Sequence, residues 1–152
     1  MSILSRHHRW PIVGVALLIG GCGSDLQHAL TSSGQPCEVL VDGVKYFVGD
    51  EACFRALPMT TMSGYWVHDH EYSVFYKGLQ AVPPGYDDNA SWLDLSKEAR
   101  AKAPPLLDSQ SDLFEVTFVG VDPDRVGMFG NGTRKRGVFA DRILKLKQVS
   151  RP

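Results

Sequence analysis

The sequence predicts a mainly β protein, a small curved sheet or partly open OB-like barrel with one short helix. Three observations point there. Runs of strand length rich in aromatic and β-branched residues recur along the chain. Clusters of Gly, Pro, Asn and Asp separate them. A single stretch, Lys97 to Ala103, has helical composition, and Pro104-Pro105 stops it. With 43% hydrophobic and 10% aromatic residues, a domain of this size can bury enough apolar surface to offset the entropy of ordering.

Residues 38–48 read as two strands joined at Asp42-Gly43, a strong two-residue hairpin signal. Asp50 is placed to cap a short helical turn through Cys53 and Phe54. Residues 62–68 and 71–76 follow as aromatic-rich strands, and 81–89 is turn chemistry throughout. Trp92 to Leu95 reads as a short strand, and Ser96 as the cap of the helix. Leu113 to Val121 is the clearest strand of the chain. Val126 to Phe129 and Gly137 to Leu144 are expected to form a hairpin around Gly130 to Arg136. Phe139, Ile143 and Leu146 also fit helical spacing, but the β-branched content and the preceding turn favour strand.

The N-terminus carries a different signal. Arg6 and Arg9 precede an uncharged, mostly apolar run, Trp10 to Gly21. A helix crossing a bilayer needs about 20 apolar residues, so this run fits an export signal better than a span. It ends in Ile19-Gly20-Gly21-Cys22, which resembles the lipobox of bacterial lipoproteins. Small side chains suit a peptidase at the membrane, and only a thiol can take up diacylglycerol as a thioether. The resemblance implies cleavage before Cys22 and attachment of lipid to that cysteine. Gly23 in place of Asp implies, as in enteric lipoproteins, transfer to the outer membrane, facing the periplasm. Residues 1–21 are then the signal peptide, 22–36 a flexible tether, and 37–152 the β-rich domain. The stretches 64–75 and 114–146 also resemble small uncharacterised envelope lipoproteins of Gram-negative bacteria, a likeness that implies no activity.

Cysteine usage agrees with export. Lipidation of Cys22 leaves Cys37 and Cys53 as a pair in an oxidising compartment, where a disulfide is expected. Closing that loop stabilises the fold by about 3 kcal/mol on a chain-entropy estimate. The spacing is far from Cys-x-x-Cys, so a redox or metal role for the pair is disfavoured.

The formal net charge of −1 conceals an asymmetry. Residues 22–124 carry six Lys/Arg against sixteen Asp/Glu, whereas residues 125–152 carry eight against Asp141 alone. Complementarity within one fold explains this, as does a basic face for anionic lipid or an acidic partner. Arg134-Lys135-Arg136 is the compact basic element, read as a solvated loop tip or an anionic contact. A net-acidic exported chain is not expected to bind nucleic acid.

No catalytic signature stands out, and no cofactor motif occurs: there is no Gly-x-Ser-x-Gly elbow and no phosphate-binding glycine loop. His68-Asp69-His70-Glu71 can offer His68 and His70 to a metal ion from one strand face, but a site needs a further ligand. A polar turn accounts for the same residues. Asp87-Asp88-Asn89 and Asp122-Pro123-Asp124 lack the ligand spacing of a calcium loop and read as turns. The expected function is therefore a lipid-anchored, non-enzymatic binding protein of the cell envelope, with a protein or ligand partner. The alternatives are a periplasmic metal-binding protein using His68 and His70, or a hydrolase with spatially assembled carboxylates.

Overall fold

The computed structural model describes residues 26–69, 72–78, 87, 90–103, 112–130 and 132–150. Cys22, His70, Glu71, Asp88, Asn89 and most of the 81–89 loop lie outside them. Among the described residues there are eight strands: β1 (Glu38–Val41), β2 (Val44–Phe47), β3 (Thr60–His68), β4 (Ser73–Lys77), β5 (Ser91–Leu95), β6 (Asp112–Val121), β7 (Val126–Gly127) and β8 (Gly137–Val149). Two short helices join them, α1 (Glu51–Arg55) and α2 (Lys97–Lys102).

The protein is mainly β and forms an OB-like barrel, as the sequence predicts, but the barrel is closed rather than partly open and a second short helix is present. Strands β3-β4-β5-β8-β6 form a barrel, and pairing of β6 with β3 closes it completely. All neighbours are antiparallel except β5 and β8. Counted along the barrel, the order is first, second, third, fifth, fourth, with α2 between third and fourth. That is the arrangement of an OB-like Greek-key barrel. Register shifts between Thr117 and Phe118, and between Val119 and Gly120, bend β6 against β8 so that a small sheet can close. Gly120 sits at the second shift, where a side chain would run into the Phe139 carbonyl.

The barrel interior follows strand alternation. Met62 and Trp66 from β3, Phe75 from β4, Leu93 from β5, Phe114, Val116 and Phe118 from β6, and Val138, Ala140 and Ile143 from β8 fill it. Ala99 of α2 plugs one end. Ser96 caps this helix, accepting from the Ala99 N–H at 3.0 Å while its own hydroxyl donates to the Asp141 carbonyl. Ser96 is itself buried, so sequence, cap and packing coincide at one residue.

A second core lies outside the barrel. Strands β1, β2 and β7 form a small sheet, with Asp42 and Gly43 both at positive φ in the β1–β2 turn, as the hairpin signal requires. Under it pack Leu26, Phe47, Phe54, Val121, Phe129 and Phe139, with the Cys37–Cys53 disulfide among them. The disulfide joins the start of β1 to α1 across a Cα separation of 5.7 Å. Asp50 caps α1 by accepting from the Ala52 N–H, and its second oxygen accepts from the Ser32 N–H and hydroxyl.

Two further features depart from expectation. Val126 to Phe129 turns back only locally: Phe129 pairs antiparallel with Arg134 and the Gly127 N–H donates to the Lys135 carbonyl, but this pairing does not continue into the last strand. Instead β7 pairs parallel with β2, and β8 pairs with β5 and β6. Residues 26–36, read as part of a tether, are packed onto the domain. Leu26 is buried, the Cys37 N–H donates to the Ala29 carbonyl, and Leu30 bridges Pro36. Residues 26–36 therefore belong to the folded domain, which extends N-terminally of Cys37.

Candidate functional site: a charged groove at the barrel mouth

Connectivity fixes which residues can meet. The starts of β3, β5 and β8 and the ends of β4 and β6 share one end of the barrel, because antiparallel neighbours run opposite ways. The end of β5 and the start of β6, joined through α2, occupy the other. At the end away from α2, an open groove of about 550 Å³ is lined by Thr60, Lys77, Ser91, Asp122, Asp124 and Arg136. Every barrel strand or its adjoining loop contributes.

The groove's charges are paired. The Lys77 ammonium lies 2.8 Å from Asp122, and Arg136 lies 3.7 Å from Asp124. Asp122 also accepts from the Asp124 N–H, which makes 122–124 the turn read from the sequence and holds Asp124 at positive φ. The turn thus presents both carboxylates to cations from other strands. Gly130, also at positive φ, lays its backbone on the Trp92 ring and brings the 130–136 loop against the barrel.

The basic tripeptide is divided by this loop. Phe129 and Arg134 pair across it, so Arg134 turns inward, is buried, and donates to the Asp87 carbonyl at 2.9 Å. Lys135 is exposed, and Arg136 belongs to the groove. The three residues do not form one surface.

His68 ends β3 at the opposite, α2 end of the barrel. Its ring stacks on Trp66 with centroids 4.3 Å apart. Among the described residues its Nδ1 has no hydrogen-bond partner. Burial lowers its pKa, and Arg100 adds to the shift, while Asp69 and Asp112 oppose it. Asp69 and Tyr72 exchange hydrogen bonds, at 2.8 Å each, so the segment after His68 turns back into β4. Among the described residues no group of three or more His, Cys, Asp or Glu is placed to hold a metal ion together. Nearby, Asp94 accepts from the Trp92 indole N–H at 3.0 Å, and burial raises its pKa.

The fold and groove define a small, closed OB-like barrel with a disulfide-linked accessory sheet and a polar, charge-paired mouth. No protein-family model, curated protein or solved structure matches this chain.

Proposed function

We propose that this protein is an envelope lipoprotein, anchored through lipid on Cys22 and facing the periplasm from the outer membrane. Its barrel binds a charged segment of an envelope protein in the mouth groove, without catalysing a reaction. The observation that carries this reading is the convergence of two exposed ion pairs, Lys77–Asp122 and Arg136–Asp124, in one groove. Exposed pairs are worth only about 0–1 kcal/mol each, so a ligand carrying both signs of charge can replace their members at little cost. Rearranged pairs would then hold the partner's register.

A photo-crosslinking residue at Ser91, in cells expressing the full chain, tests the binding. The expected outcome is a discrete adduct that disappears when Asp124→Lys and Arg136→Glu are combined with it. An absence of adduct, or one indifferent to those reversals, rejects the groove as the binding site. The anchor is tested separately by Cys22→Ser. It should leave unprocessed precursor and abolish membrane retention, and normal processing of this variant would refute the anchor.

A further inference from the structure

We infer that the outer face of the small β1-β2-β7 sheet rests on the membrane that carries the anchor. The inference depends on the lipid attachment proposed above and adds an orientation and a second contact to it. Strand pairing sets Val39 opposite Tyr46, Val41 opposite Val44, and Tyr46 opposite Val126. These residues therefore share one face, the reverse of the face through which Phe47 enters the core. Met128, two residues beyond Val126, is 76% exposed. Val39, Val41, Val44 and Val126 are also exposed, and with the partly buried Tyr46 they give this face no charged side chain. A contiguous exposed apolar surface of this kind marks an interaction site.

The length of chain before the domain selects the occupant. Gly23, Ser24 and Asp25 alone separate Cys22 from Leu26. Fully extended, the step from Cys22 to Leu26 spans at most about 14 Å. Leu26 is buried in the cluster beneath this sheet, in company with Phe47. A lipid on Cys22 thus keeps the small sheet and the core beneath it, rather than the α2 end of the barrel, within reach of the bilayer. Docking has to be shallow, since β1 is an edge strand whose open backbone groups still need water. Valines with one tyrosine suit that depth, because tyrosine favours the interface. Lys135 is exposed and its carbonyl accepts from the Gly127 N–H at 2.9 Å, so a cation is carried on the chain segment adjoining β7, where anionic headgroups favour one.

The test uses the full chain, expressed with its signal, purified and reconstituted into phosphatidylethanolamine–phosphatidylglycerol vesicles. Brominated phospholipid serves as the quencher. Tryptophan is introduced singly in Val44→Trp, in Met128→Trp, and in Leu144→Trp on the barrel wall as a control. We expect the emission added at 44 and 128 to be largely lost on bromination and that at 144 to be retained. Equal quenching at all three, or none at 44 and 128, overturns the docking. Shielding of 44 and 128 only on self-association also overturns it, by assigning the face to a second copy. Mass spectrometry of the same sample for diacylglycerol on Cys22 reports on the anchor alone, so the two failures are distinguishable.

Discussion

At the scale of single residues, burial sets the behaviour of two ionisable groups. His68 is held below its ordinary value of 6.5, so the folded protein binds that proton less tightly than the unfolded chain does. Its contribution to stability is complete above 6.5 and is lost as the pH falls through the folded value. We predict that His68→Gln flattens the fall in melting temperature from neutral pH to about pH 5; an unchanged slope would assign that fall to other groups. Asp94 has the opposite sign. Its folded pKa lies above 3.8, so the stability it adds is present below 3.8 and lost as the pH rises. Asparagine keeps an acceptor for the Trp92 indole without the buried charge. Asp94→Asn should therefore raise the denaturation midpoint at neutral pH, with the gain shrinking as the pH approaches 3.8. Ser96 combines a helix cap with a buried hydrogen bond. Ser96→Ala removes the α2 cap and leaves the Asp141 carbonyl without its hydroxyl donor, a cost of about 2 kcal/mol by urea denaturation.

At the scale of elements, what was legible in the sequence is what local chemistry decides. Asp42-Gly43 dictates its own turn, Asp50 and Ser96 announce their helices, and β6 is visible from Leu113 to Val121 because its composition excludes much else. The partner of β7 was not legible. A two-residue strand pairing in parallel with β2 depends on a contact far away in sequence, and the glycine-rich stretch after it closes only a short local hairpin. Leu26 was missed for a related reason: a lone leucine among small polar residues carries no periodic signal, yet it is buried in the second core. The groove was the least legible feature. Asp122 and Asp124 read as a turn, but Lys77 and Arg136 meet them only after the barrel closes. The disulfide is the element-level stabiliser. Replacing both Cys37 and Cys53 by Ser should cost on the order of 3 kcal/mol, a fall of about 10 °C in Tm by calorimetry. A much smaller fall would show that Leu26, Phe47 and Phe54 hold the small sheet without the crosslink.

At the scale of the whole molecule, the charge asymmetry is absorbed within the fold. Basic residues of the C-terminal part pair with acids from upstream: Arg125 with Glu38, Arg136 with Asp124, and Lys145 with Glu115. The last two pairs are exposed on both sides and set solubility and surface pattern more than stability. Lys145→Ala should accordingly change the unfolding free energy by less than about 1 kcal/mol; a larger loss, read from equilibrium denaturation, would mean that β8 is held to β6 by charge as well as by its ladder.

The last strand has a further consequence, one of timing. β8 lies between β5 and β6, so the barrel cannot close around its core until residues 137–149 have arrived. A nascent chain lacking them has an open sheet edge on each side of the gap and no finished interior. Long-range pairing of this kind forms slowly. For a protein that leaves the cytoplasm as an unfolded thread, as proposed here, that delay is useful. On that proposal the chain would stay translocation-competent until residues 137–149 are through, and would close only on the far side of the membrane.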